Sequence, residues 1–231
     1  MSDNLVKSKF GYFGKVPVRG DFIQDQLPAD FIESWNEWLQ ATLAVSREQL
    51  ADNWLDCYLT SPIWHFALSP GVCGESAIVG TLMPSVDRVG RHYYFTLASP
   101  VEHPISAFWE QKQWSQESEE LVLKLLDDET DFASWVSELN QNMWFGGLPT
   151  VGTDTRIVDT EQSNHRVLIN EGHIESSHML HLAYRERYDR YCLWWTSGSE
   201  RVPACTLITS GLPFVGQFSA MLDGCWEEWG W

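Results

Sequence analysis

The chain has 231 residues and is strongly acidic, with a formal net charge of −17 at pH 7. This charge argues against binding to nucleic acid phosphates or to anionic lipid. A hydrophobic content of 44% and 13 tryptophans predict a soluble globular protein with a large aromatic core. No signal peptide and no apolar run near the ~20 residues of a membrane span are evident. Five widely spaced cysteines lack a Cys-x-x-Cys pair, so we expect free thiols in the cytoplasm.

The first half of the chain alternates helical and strand patterns. Apolar residues recur at three- and four-residue steps after Pro28, which predicts a helix that begins there. A second helix is predicted over residues 47–58. Short apolar runs that are rich in β-branched and aromatic residues predict strands over residues 10–13, 63–68, 77–83 and 93–98. The loop between the last two strands contains Asp87 to Arg91 and fits a hairpin connection.

The second half begins with an acidic helical region over residues 105–140. Between Glu102 and Glu138 there are ten acids and two lysines, a net charge of −8. This pattern favours a solvated helical face, with a docking surface for a basic partner as the alternative. Glycine and proline near residues 146–150 mark a possible internal boundary. Beyond it we predict strands over residues 156–158, 166–169, 192–195 and 204–209, and helices over residues 176–184 and 213–222.

Grouped strands with helices between them indicate one α/β domain over residues 1–231. We expect a mixed β-sheet with helices on both faces, which is a three-layer αβα sandwich. The later strands can complete the sheet that the first half begins, so the possible boundary near residues 146–150 does not require two domains.

Two short segments combine glycine, proline, arginine and aspartate, namely residues 11–22 (GYFGKVPVRGDF) and residues 84–91 (PSVDRVGR). Such composition predicts ordered, shaped loops. We expect the two loops to lie against each other, joined or braced by an Asp–Arg pair with Asp21 or Asp87 as acceptor. The same carboxylates can instead cap turns. The turns themselves are assigned to Gly14, Gly20 and Gly90.

The basic residues of these loops would form an island on an acidic protein: Lys15, Arg19, Arg88 and Arg91. One interpretation is a set of internal salt bridges. The other is a recognition patch whose cations meet carboxylates or phosphorylated side chains. Both can hold together, with Arg91 internal and with Lys15 and Arg19 exposed.

These two segments, in this order, with Leu27-Pro28, Trp35 and Trp38-Leu39 between them, closely resemble the TagF (ImpM) family. The resemblance is densest over about residues 10–100 and continues more loosely to Trp194-Trp195 and to Gly211-Leu212-Pro213. It implies a cytoplasmic accessory protein of bacterial type VI secretion that restrains the machine after its parts are made. In that family, control runs alongside threonine phosphorylation and involves a forkhead-associated scaffold protein, which is therefore the expected partner.

The resemblance does not imply an enzyme, and the residues agree with that. Gly14-Lys15 fails as a phosphate-binding loop, because Lys9 replaces the required glycine and Val16 replaces the required Ser or Thr. No nucleophile motif is present, and His178 with His181 lacks further ligands at a metal-site spacing. We expect no cofactor and no metal. The alternatives are an unrecognised, hydrolase-like enzyme that uses Asp21 and Asp87 with the adjacent arginines, and a structural chaperone for an apparatus component.

Overall fold

Seven antiparallel strands form the central sheet of the computed structural model, which describes residues 9–142, 156–159, 166–169 and 175–231. The strands lie in the order β2-β1-β5-β4-β3-β8-β9. Their bounds are β1 Gly11–Gly14, β2 Ile23–Asp25, β3 Trp64–Leu68, β4 Ala77–Val86, β5 His92–Val101, β8 Cys192–Thr196 and β9 Cys205–Thr209. A separate hairpin pairs β6 (Arg156–Asp159) with β7 (Arg166–Ile169).

Helices cover both faces of the sheet, as the sequence predicts. On one face lie α1 (Ala29–Leu50), α2 (Trp54–Leu59) and α7 (Ala220–Asp223). On the other lie α3 (Ile105–Glu110), α4 (Lys112–Lys124), α5 (Phe132–Asn142) and α6 (Ser176–Tyr188). The α/β fold with helices on two faces is confirmed. Within it every strand pair that the structure describes is antiparallel, where the prediction had a mixed sheet.

The first core lies between the sheet and α1. Apolar residues along α1 recur on one helical face, and this face packs Trp35 against Trp194 of β8 with parallel rings 5.9 Å apart. The indole of Trp35 donates a hydrogen bond to Thr96 Oγ1 at 2.9 Å. Burying such an aromatic side chain is worth about 1.5–3 kcal/mol relative to leaving it in water. The aromatic residues therefore fix α1 across the sheet.

The boundaries differ from the sequence predictions at two helices. Helix α1 continues to Leu50, and a single 3₁₀ turn separates it from α2, so the second predicted helix starts too early. The predicted closing helix is instead a 3₁₀ turn over residues 215–217 followed by the four-residue α7. The possible boundary near residues 146–150 lies outside the described residues.

Candidate binding surface at the paired loops

The first loop leaves the sheet at the end of β1, directly after Gly14. Gly14 has φ 137°, and a Cβ atom there would lie 2.2 Å from the carbonyl oxygen of Tyr94 on β5. Only glycine fits this close approach of two strands. The chain turns at this point, and this places Lys15 at the root of the loop.

The two loops lie against each other. The backbone N–H of Arg88 donates to the carbonyl oxygen of Arg19 at 2.9 Å. The guanidinium of Arg91 donates to the carbonyl oxygen of Gly20 at 2.5 Å. These bonds fix the relative position of the loops, because two carbonyl oxygens of the first loop accept hydrogen bonds from the second loop.

Asp87 lies at the centre of this junction and is almost fully buried, with 3% of its surface exposed. Its carboxylate accepts hydrogen bonds from Lys15 Nζ at 3.0 Å and from Arg91 Nε at 2.6 Å. It also accepts the backbone N–H groups of Val89 at 3.1 Å and Arg91 at 2.9 Å. Burial alone would raise the pKa of Asp87, but these four hydrogen bonds outweigh it and hold the pKa well below its usual range. Asp87 is therefore a charged structural anchor.

The hairpin turn between β4 and β5 is built around the same residue. Asp87 N–H donates to the carbonyl of Arg91 at 3.1 Å, and Gly90 N–H donates to the carbonyl of Asp87 at 2.9 Å. Gly90 adopts φ 83°, a conformation that glycine takes at no steric cost. The turn therefore presents residues 88–90 at the tip of the hairpin.

Three expectations about these loops need correction. Lys15 was expected to be exposed, but only 9% of its side chain is exposed, because its ammonium group forms an ion pair with the buried Asp87. Arg91 pairs internally as expected, yet 57% of its side chain is exposed. Asp21 lies in solvent, and its ion pair among the described residues is a 3.9 Å contact with Arg91, so Asp87 and not Asp21 braces the junction.

Arg19, Arg88 and Val89 are exposed, in addition to Arg91 and Asp21. Val89 is 69% exposed at the hairpin tip. Among the described residues, neither Arg19 nor Arg88 has a carboxylate within 4.0 Å. The guanidinium of Arg19 lies over the ring of Phe132, 5.2 Å from its centre. Two cations without an ion-pair partner in the described part of the chain thus lie beside an apolar tip.

A cleft of about 530 Å³ lies between the surface formed by Arg19, Arg88 and Val89, here called the basic edge, and the acidic turn between α4 and α5. Arg19 and Arg88 line one side, and Asp128 and Asp131 line the other. The Ser134 hydroxyl, the Ala133 N–H and the charge of Arg19 lower the pKa of Asp131. The sequence did not reveal this proximity, because the acidic turn is about 40 residues from Arg88 and about 110 from Arg19, and no pattern links them.

The histidines considered for metal binding lie on α6. His181 Nδ1 is 2.9 Å from the hydroxyl of Tyr191, and burial lowers the pKa of His181 to about 4, with smaller effects from Arg185 and His178. In the part of the chain that the structure describes, no group of three or more His, Cys, Asp or Glu residues is placed to hold a metal ion. Nor does that part contain a helix with the length and apolar character to cross a bilayer.

Comparison with known proteins agrees with this geometry. The sequence profile of the TagF N-terminal domain, described as type VI secretion system-associated, matches residues 11–142. The crystal structure of PA0076 from Pseudomonas aeruginosa PAO1 superimposes with a TM-score of 0.79 at 30% identity, covering 94% of each chain. No significant match is found among curated proteins. The matched region contains both loops, the hairpin and α1, and the chain therefore belongs to the TagF family of type VI secretion system-associated proteins.

Proposed function

We propose that this chain is a non-enzymatic, post-translational negative regulator of type VI secretion that acts by binding another protein. Membership of the TagF family supports the association with secretion. The restraining role rests on what the resemblance implies for the family. The site of action that we propose is the basic edge, defined as Arg19, Arg88 and Val89.

The observation that carries this proposal is the fixed presentation of Arg19 and Arg88. Their backbones are joined by a hydrogen bond of 2.9 Å, and the Asp87 junction beneath them holds the loops in place. Both side chains are exposed on a chain of net charge −17, and among the described residues neither has a carboxylate within 4.0 Å. Because the loop backbone is already fixed, binding does not have to order it, and this favours recognition.

The chemistry of the basic edge fits a carboxylate or a phosphorylated side chain on the partner. Guanidinium groups bind both with paired, charge-assisted hydrogen bonds. Asp128 and Asp131 across the cleft oppose a second anion that enters deeply. A single acidic or phosphorylated group at the rim, next to the apolar Val89, suits the arrangement best. The forkhead-associated scaffold protein implied by the family resemblance is the proposed partner.

The geometry of the loops gives little support to the alternative that Asp21 and Asp87 are catalytic carboxylates. Both oxygens of Asp87 accept hydrogen bonds from Lys15, Arg91 and the turn backbone, so this carboxylate has little capacity to take a proton from a substrate. The side chain of Asp21 is fully exposed, and the ion pair that it makes with a described residue is the 3.9 Å contact with Arg91. A binding role needs only the exposed cations.

The proposal is tested by reversing charge at the basic edge. Arg19→Glu and Arg88→Glu should each weaken capture of the forkhead-associated scaffold by about tenfold or more and should release secretion. Both side chains are exposed, so melting temperatures should stay within about 2 °C of the wild type. The measurements are secretion of an effector into the medium, pull-down of the scaffold and thermal melting of each purified variant.

Arg187→Glu is the matched control, since Arg187 is an exposed arginine on α6 and far along the chain from both loops. It should repress secretion normally. Normal repression by Arg19→Glu together with Arg88→Glu, at wild-type abundance, would remove the basic edge from regulation. The acidic helices between Glu102 and Glu138 would then be the next surface to test.

A further inference from the structure

A row of polar side chains crosses the sheet beneath α4. Cross-strand pairing places Thr81 of β4 beside His65 of β3, His65 beside Trp195 of β8, and Trp195 beside Thr206 of β9. The other residues on this face of the sheet pack against α3, α4, α5 and α6 in a second, apolar core. A polar row in such a core is costly unless its members are paired. Among the described residues, both ring nitrogens of His65 and the Thr81 hydroxyl have partners, whereas Trp195 Nε1 is buried without one.

The row is connected to α4 by hydrogen bonds. His65 Nδ1 lies 2.9 Å from Thr81 Oγ1, and the Thr81 hydroxyl is also bonded to the hydroxyl of Ser118. His65 Nε2 lies 3.3 Å from Glu119 Oε2. The side chain of His65 is 3% exposed and that of Glu119 is 33% exposed, so the connection runs from the core to the surface.

A cavity of about 460 Å³ opens at the outer end of this connection. His65 and Glu119 line it together with the indoles of Trp109 and Trp195, and the edge strand β9 forms its rim. Its volume falls within the range of small-molecule sites. Among the described residues that line it, Glu119 carries the only acid and none is a lysine or arginine.

We propose that this cavity binds a ligand through a protonated amine or a guanidinium group. Glu119 Oε2 faces His65, whereas Oε1 has no hydrogen-bond partner among the described residues. That free oxygen is the acceptor for the cation, and the indole walls favour a cation through their ring electrons. An anion is disfavoured by Glu119 and by the net charge of −17.

The cationic group has two possible sources, a small free molecule or the side chain of an arginine or lysine in a protein. The cavity is independent of the basic edge, since neither loop contributes a lining residue and the preferred ligand charge is opposite. The inference therefore does not rest on the proposed function of the loops.

The test is titration calorimetry of the full chain with four probes. Nα-acetyl-L-argininamide represents a small free cation, and an acetylated, amidated Gly-Arg-Gly peptide represents a protein side chain. Nα-acetyl-L-citrullinamide and the matching citrulline peptide have nearly the same shape without the charge. We expect a cationic probe to bind and its citrulline counterpart to bind at least about tenfold more weakly. Binding of the acetylated argininamide alone indicates a free ligand, and equal binding of the arginine peptide indicates a protein side chain.

Glu119→Gln should weaken binding of the cationic probe by roughly tenfold to a hundredfold. Glu120→Gln makes the same change at an exposed position on the same helix and should bind as the wild type does. Ala204→Trp, at the exposed rim of the cavity, should block binding without touching the buried network. The proposal is overturned if neither cationic probe binds at millimolar concentration, if citrulline binds equally well, or if both Glu119→Gln and Ala204→Trp leave binding unchanged.

Discussion

Asp87 and Glu119 each face a buried partner, Lys15 directly after β1 and His65 on β3, but their surroundings differ. Asp87 is enclosed, and both of its oxygens are occupied by two cations and two backbone N–H groups. Glu119 is one-third exposed, and its described hydrogen bond uses one oxygen only. Asp87 thus has the environment of a structural residue, and Glu119 that of a residue with capacity left for a ligand.

The difference follows from where each carboxylate is placed. Asp87 sits at a hairpin turn, where nearby backbone N–H groups point toward it and stabilise its charge. Glu119 projects from the middle of α4, where the helix itself uses the backbone N–H groups. A carboxylate on a helix therefore depends on other side chains, and here His65 is the one that reaches it.

The largest effect is expected from breaking the enclosed site. Asp87→Ala leaves Lys15 and Arg91 facing a buried junction without their common acceptor, and it also removes the acceptor for two backbone N–H groups. We expect a loss of about 3–5 kcal/mol in the free energy of unfolding, measured by urea denaturation. Asp21→Ala is the control, because Asp21 is fully exposed, and it should leave the unfolding curve unchanged. Similar curves for the two variants would show that Asp87 is not the anchor.

A smaller loss in the free energy of unfolding is expected when the pH is lowered. The pKa of Asp87 is lower in the folded chain than in the unfolded chain, so the unfolded state binds more protons in acid. The stabilisation is present above the unfolded pKa of about 4 and is lost as the pH falls below it.

The measurement for this prediction is urea denaturation at several pH values between about 5 and 2. Asp87→Asn should lose less stability over this range than the wild type does, because its side chain does not titrate. Asp30 and Asp131 also have lowered pKa values, and they contribute equally to both proteins. Parallel pH profiles for the wild type and Asp87→Asn would contradict the prediction.

The loop junction at Asp87 and the cavity at Glu119 also differ in how much of each can be predicted from the sequence. The paired loops are visible because glycine, proline and charged residues are adjacent in the chain, and the hairpin follows from two apolar strands around a short turn. The burial of Lys15 was not predictable, since it depends on Asp87, which is 72 residues away. Antiparallel pairing of all the sheet strands was missed because strand patterns do not encode direction.

The cavity is invisible in the sequence for a related reason. Its polar residues come mainly from β3, α4, β8 and β9, and each is ordinary in its own segment. A lone histidine in an apolar strand, such as His65, is the only local signal. It becomes informative once the register places Thr81 and Trp195 on either side of it.

The smallest expected effect comes from the inner end of the cavity network, where Thr81→Val removes a hydroxyl while keeping the shape of the side chain. The hydroxyl contacts His65 Nδ1 and Ser118, and both would be left buried with one partner fewer. We expect a loss of about 1–3 kcal/mol in the free energy of unfolding, below that of Asp87→Ala because no charge is left unpaired. Thr206→Val lies in the same row, but Thr206 is exposed, so its cost should stay within about 0.5 kcal/mol. Equal costs for the two threonine variants, measured by urea denaturation, would mean that the buried row is not a connected network.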